Sequence, residues 1–142
     1  MKTHSFSCYC ATLRQAARAV TVLYEKMIAE GDLHATQYTA LQLIETVPGL
    51  TTTELAEAMG MDQTTATRSL ALMKGRGLAT NTVGQDRRLR RWNLTSAGQE
   101  ELRKLKPRWE AAQRTLELRL GRAQAIVLKD AAYLTASRVG SR

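Results

Sequence analysis

Apolar side chains recur at helical spacing along most of this chain, and the stretch from Asp62 to Leu78 organises the rest. From about Ser7 to Ala29, the positions Leu13, Ala17, Val20, Tyr24, Met27 and Ile28 share a broad face of a long helix, which Glu30-Gly31-Asp32 closes. A second helix is predicted from about Thr36 to Val47, with Tyr38, Leu41 and Ile44 inward and Pro48-Gly49 as its stop. Thr51 to Gly60 is a third, short helix: Thr51 and Glu54 have capping-box spacing, and Leu55 and Met59 form an apolar stripe. Asp62 is placed to cap a fourth helix whose Ala66, Leu70 and Met73 lie on one face; Gly77 ends it and Leu78 returns to the core. The period then changes. Ala79 to Val83 reads as extended, Gly84 to Arg88 as a turn, and Leu89 to Leu94 as a second strand with Trp92 and Leu94 on one face and Leu89 opposite. A two-stranded hairpin is marginal alone and needs the helices to brace it.

Thr95-Ser-Ala-Gly98 opens a helical stretch from Ser96 to about Leu120, in which Leu102, Leu105, Trp109, Ala112 and Leu116 make a heptad-like seam. Pro107 lies within it and is expected to kink the helix or remove one hydrogen bond. Gly121 separates a last helix, about Ala123 to Ser137, carrying Ile126, Val127, Ala131 and Leu134.

Helix, short turn at Gly60-Met61, helix is a helix-turn-helix layout, and a basic hairpin behind it makes a winged helix. The fold class is therefore mainly α with a small β-hairpin wing. The outer face of the fourth helix carries Gln63, Thr64, Thr67 and Arg68, side chains that suit base edges and phosphates. The winged helix occupies only the middle of the chain. The long flanking helices then lack a partner within it, and dimerisation through them is expected. The layout is a single domain over 1–142, with dimerisation helices at about 7–30 and 96–138 around a DNA-binding part at about 35–95.

Charge sharpens this picture. The formal net charge is +8 and the isoelectric point about 10.0. Residues 84–91 hold four arginines against one aspartate, whereas 25–62 is net acidic. A basic stretch at the wing is the electrostatic footprint of a nucleic-acid binder. No run approaches the roughly 18 apolar residues of a membrane span. The N-terminus does not read as a signal peptide, so a cytoplasmic location is expected. Cys8 and Cys10 do not make a disulfide framework, and pairing between them is awkward on a strand or a helix. His4, Cys8 and Cys10 fall short of a four-ligand zinc set, so no metal or other cofactor is expected. Gly-rich phosphate loops, Gly-x-Ser-x-Gly and His-Glu-x-x-His are all missing, which argues against an enzyme.

The chain resembles the MarR family of transcriptional regulators. The matching residues run from Thr53-Glu-Leu-Ala-Glu57 to Gly60, through Met61-Asp-Gln-Thr-Thr-Ala-Thr-Arg-Ser-Leu70 and Gly77-Leu78, to Asp86-Arg-Arg88 and Leu94-Thr-Ser-Ala-Gly98, within a likeness covering roughly residues 10–120. The Asp-x-Arg wing followed by Leu-Thr-x-x-Gly is the specific part. The resemblance implies an obligate homodimer on a pseudo-palindromic duplex, with half-sites roughly 34 Å apart. It implies that Gln63, Thr64, Thr65, Thr67 and Arg68 face the major groove. It further implies that Arg88 reaches the minor groove with Asp86 bracing the wing; Arg87 and Arg90 suit phosphates.

Family resemblance also implies a repressor released by a small anionic, phenolic ligand, for which Arg14, Tyr24, His34 and Tyr38 are candidates in a pocket between the dimer helices and the winged helix. The alternative signal is oxidation. The stretch from Cys10 to Tyr24 is similar to the first helix of the family's organic-hydroperoxide-sensing branch, with Arg14 where that branch has a second tyrosine; Cys8 lies nearby. A reading of another class is a winged-helix docking module for proteins, which would show no salt-sensitive duplex binding.

Overall fold

A computed structural model of the protein describes residues 4–29 and 33–140. The elements are α1 (Tyr9–Ile28), α2 (Ala35–Thr46), β1 (Leu50–Thr51), α3 (Thr52–Met59), α4 (Gln63–Gly75), β2 (Ala79–Val83), β3 (Arg90–Leu94), α5 (Ser96–Leu120) and α6 (Arg122–Val139). The chain forms two compact units: residues 28–107, and residues 1–27 with 108–142.

The unit 28–107 holds the core. Tyr38, Leu41 and Ile44 from α2, Leu55 from α3, Leu70 and Met73 from α4, and Leu102 and Leu105 from α5 are all buried. Both helices of the helix-turn-helix start and stop as their sequences dictate. Thr51 caps α3 reciprocally with Glu54: the Glu54 N–H donates to Thr51 Oγ1 (3.2 Å) and the Thr51 N–H to Glu54 Oε2 (2.6 Å). Gly60, at φ 61°, closes α3, with the Met61 N–H reaching back to the Ala56 carbonyl (3.0 Å). At the end of α4, Gly77 takes φ 71°, its N–H donates to the Lys74 carbonyl (2.9 Å) and that of Leu78 to Met73 (2.9 Å). These two bonds are a Schellman motif, which turns the chain into β2.

The sheet differs from the expected two-stranded hairpin. It has three antiparallel strands in the order β1-β3-β2, with Leu50 opposite Trp92, Thr51 opposite Arg91, and Ala79 through Val83 opposite Leu94 through Arg90. The short β1 supplies the bracing that a lone hairpin lacks. Trp92 is 5% exposed, and its indole N–H donates to Thr52 Oγ1 (3.0 Å). The Arg91 guanidinium donates to the Gly49 carbonyl (3.1 Å).

At the entry to α5, Thr95 Oγ1 accepts from the Gly98 N–H (3.0 Å) and donates to the Gly77 carbonyl (2.5 Å), and the Thr95 N–H donates to the Leu78 carbonyl (3.1 Å). Helix α5 runs unbroken through Pro107, whose ring removes one donor without ending the helix. The boundary between the two units on α5 falls at this residue.

The other unit is built differently. Helix α1 begins at Tyr9, two residues later than its pattern suggests, where the Thr12 N–H and hydroxyl both donate to the Cys8 carbonyl (3.1 Å each). Glu30-Gly31-Asp32, expected to close this helix, lies outside the described residues. Helix α6 buries none of its 18 residues, and Leu118, Val127, Tyr133 and Val139 are 85%, 67%, 76% and 79% exposed. Among the described residues of this unit only Ala112 is fully inside. Exposed apolar surface on this scale is characteristic of an interaction face.

Candidate nucleic-acid interface

Helix α4 is fixed at its start by Asp62. One carboxylate oxygen accepts from the Thr65 N–H (2.8 Å) and the other from the Thr65 hydroxyl (2.7 Å). Those two bonds, the hydroxyl's first, hold the Asp62 carboxyl below the usual carboxylate range. Glu54 is lowered likewise, first by the Thr51 N–H and then by the Thr51 hydroxyl, with Arg91 adding a favourable charge. Ala66, Leu70 and Met73 are buried, and Gln63, Thr64, Thr65, Thr67 and Arg68 are all exposed, with Thr64 and Arg68 opposite the buried stripe and Gln63 in the first turn. The Thr67 hydroxyl donates to the Gln63 carbonyl (2.8 Å). The helix thus offers an outer face of short polar groups and one guanidinium, carried on a core-anchored inner face.

The wing lies in the same unit. Asp86 accepts from the Arg88 N–H (3.0 Å), and the Leu89 N–H donates to the Asp86 carbonyl (3.0 Å), which closes the turn between β2 and β3. Arg87, Arg88 and Arg90 are exposed around that turn. Lys74 at the end of α4 donates to Asn81 on β2 (3.0 Å), tying recognition helix to wing. Lys74, Asn81, Thr52 and Arg91, which lock the wing in place, escape a reading of sequence period because each acts on a partner in another element.

The charge distribution differs from a simple basic domain. Residues 28–107 hold ten Lys and Arg against nine Asp and Glu, while the rest of the chain holds eleven against four. The wing is therefore a local concentration of arginine in a nearly neutral unit, and most of the net charge belongs to the other one.

The four candidate ligand residues are not drawn into one cavity. Tyr24 lines a hollow of about 680 Å³ within the unit formed by the two flanks, with Leu13, Val20, Leu116 and Ile126 among its apolar lining and Gln113, Glu117 and Lys129 among its polar lining. The Tyr24 hydroxyl donates to Gln113 Oε1. Burial, and then the Glu117 charge, push the Tyr24 phenol up from its ordinary value. Arg14 is exposed on α1 outside this lining. Tyr38, 1% exposed, borders a separate hollow of about 550 Å³ in the unit 28–107, with Gln42, Glu45, Gln99, Arg103 and Lys106. His34 is exposed at the start of α2, where its N–H donates to Gln37 Oε1 (3.0 Å). The signal that would have found Gln113 and Glu117 is their place on the α5 seam beside Leu116, one and two turns beyond Trp109.

Cys8 precedes the first turn of α1 and Cys10 lies in it; both thiols are free and exposed. The Arg14 guanidinium donates to Cys10 Sγ at 3.9 Å. Among the described residues no cluster of three or more His, Cys, Asp or Glu side chains could hold a metal ion, and no helix is long and apolar enough to cross a membrane.

Comparison with known proteins places this geometry. The model of the MarR family matches residues 32–89. No curated protein is significantly similar in sequence. Among solved structures, the M. tuberculosis transcriptional regulator MosR is 31% identical; its crystal structure in complex with DNA covers 93% of this chain and 99% of that one, with a TM-score of 0.75. A second crystal structure of MosR covers 95% and 98%, with a TM-score of 0.81. The PcaV transcriptional regulator from Streptomyces coelicolor, in complex with its natural ligand, is 23% identical over 98% of this chain and 99% of that one, with a TM-score of 0.81, a likeness of fold.

Proposed function

This chain belongs to the MarR family of transcriptional regulators, and from that premise we propose that it is a homodimeric repressor that binds a pseudo-palindromic double-stranded operator in the cytoplasm and catalyses no reaction. The observation that carries the reading is the pairing, in one compact unit, of a capped helix with Gln63, Thr64, Thr67 and Arg68 exposed and a turn with Arg87, Arg88 and Arg90 exposed. The first set suits base edges in a major groove, and the second suits phosphates and the negative potential of a narrow minor groove. Asp86 braces the turn that presents Arg88. MosR, 31% identical, is crystallised with DNA.

The two flanks, about 7–30 and 96–138, form the dimer. The support is α6, none of whose residues is fully buried in its own chain and which carries Ile126, Val127, Leu134 and Val139 on its surface. Two copies place two recognition helices on half-sites roughly 34 Å apart. The signal is a small anionic, phenolic ligand that releases the DNA.

A second reading of the signal has its own support. The Cys10 thiol is exposed and receives the Arg14 guanidinium at 3.9 Å. Oxidation there would be a thiol-based release.

The test is a titration of duplex DNA flanking the protein's own gene at two salt concentrations, with and without a mild organic peroxide and then a thiol reductant. Binding that weakens with salt supports the regulator; a protein-docking module gives none. Loss with peroxide and recovery with reductant makes the signal a thiol oxidation, and its disappearance in Cys10→Ser but not in Cys8→Ser assigns it to Cys10. Binding indifferent to peroxide assigns it to a ligand.

A further inference from the structure

The recognition helix carries three threonines on or beside its outer face, and their hydroxyl protons are not equally free. A hydroxyl has one proton to donate. That of Thr65 goes to Asp62 Oδ2 (2.7 Å), and that of Thr67 goes to the Gln63 carbonyl (2.8 Å). Donors left for bases are the Thr64 hydroxyl, the Gln63 amide and the Arg68 guanidinium. Thr64 and Arg68 are one turn apart, opposite the buried Ala66 and Leu70, so they share the row that faces outward.

Base edges discriminate by donor and acceptor pattern. Guanine N7 and O6 accept two bonds from a guanidinium, and adenine N7 and N6 pair with a carboxamide. A threonine whose proton is already committed cannot donate to a purine N7 or to a keto oxygen. It offers a methyl group and an oxygen that only accepts.

We infer that Gln63, Thr64 and Arg68 are the specificity-determining residues of this helix, that Arg68 selects a guanine and Gln63 an adenine in each half-site, and that Thr65 is a positioning residue which holds Asp62 and the helix start rather than reading a base. Thr67 contributes a methyl and an acceptor-only oxygen. This deepens the DNA-binding reading and rests on it.

The experiment is selection of preferred duplexes from a randomised half-site library by the full-length protein and its variants, with affinity measured on the winning sequence. Arg68→Ala should lose preference for guanine at one position by at least about fivefold, and Gln63→Ala the preference for adenine at another. Thr65→Val should lower affinity about fivefold on every sequence without moving any base preference, and Thr67→Val should keep both purine preferences. Should Thr65→Val fail to fold, Asp62→Asn decides. Asparagine still caps the helix but offers the Thr65 hydroxyl no second acceptor, so the freed proton should add a base preference that the parent lacks. A base preference moved by Thr65→Val, a purine preference lost in Thr67→Val, or no new preference in Asp62→Asn overturns the assignment. Absence of any salt-sensitive duplex binding by the parent protein overturns the DNA-binding reading itself and is distinct from all three.

Discussion

Replacing Gly98 with alanine sets two opposed effects against each other. Gly98 is in the first turn of α5, where alanine is favoured over glycine by about 1 kcal/mol on helix propensity alone. Against this, a Cβ at position 98 would lie 2.0 Å from the Leu78 carbonyl oxygen and 3.0 Å from its carbon. Both atoms are backbone, so no side-chain rotation relieves the clash. Leu78 is also the residue whose N–H closes the end of α4 on Met73, and its carbonyl accepts from Thr95. Moving the two backbone segments apart enough to admit a methyl group costs roughly 1–3 kcal/mol of overpacking and puts at least one backbone hydrogen bond worth about 1 kcal/mol at risk. The clash outweighs the propensity, for a net loss of about 2 kcal/mol. In a unit the size of residues 28–107 that lowers the midpoint of thermal unfolding by about 10 °C. Thermal unfolding followed by far-ultraviolet circular dichroism measures it. A midpoint equal to or above that of the parent would refute the reasoning, because propensity would then have won.

Other perturbations give equally direct readings. Thr51→Ala removes the reciprocal cap of α3 and should cost about 1 kcal/mol in urea unfolding. Asp62 and Glu54 both have lowered pKa values, so the stability they contribute is complete above the ordinary carboxylate value of about 4 and is lost as pH falls through their lower folded values. An acid titration of the parent should show that loss, and Asp62→Asn should show less of it. Trp92→Phe keeps an aromatic ring in the core but gives up the bond to Thr52, and should destabilise by about 1 kcal/mol in the same urea assay. Val127→Glu with Leu134→Glu should convert a dimer to a monomer by sedimentation while leaving the unit 28–107 folded; an unchanged mass would remove α6 from the interface.

The helix boundaries were legible because the residues that set them act locally. Thr51 with Glu54, Asp62 with Thr65, Gly77 with Lys74 and Leu78 with Met73 bond within a few positions of one another, so their spacing alone announces them. Strand β1 was not legible. It has two residues, and it exists because Leu50 and Thr51 meet Trp92 and Arg91 some forty positions away. The hollow around Tyr24 depends on a similarly distant meeting with Gln113. The exposed faces of α4 and the wing turn followed from residue type, but the commitment of the Thr65 and Thr67 protons did not, since nothing in the order of residues says which hydroxyl is already bonded. Gly98 stood out in the sequence as part of a family signature, and the Leu78 carbonyl beside it supplies the physical reason.

Whether the wing and the capped helix together grip duplex DNA is read from the salt dependence of binding in the parent and in Arg88→Ala. Arg88 is exposed and its own N–H, not its side chain, holds the turn, so the substitution leaves Asp86 its bond. Each cation removed from the DNA-facing surface releases one counterion fewer and flattens the slope of log affinity against log salt by about 1, hence by about 2 for a dimer with two wings. The parent should bind in a salt-sensitive way, and the variant should bind more weakly and with that flatter slope. Equal affinity and equal slope in the two proteins would contradict it.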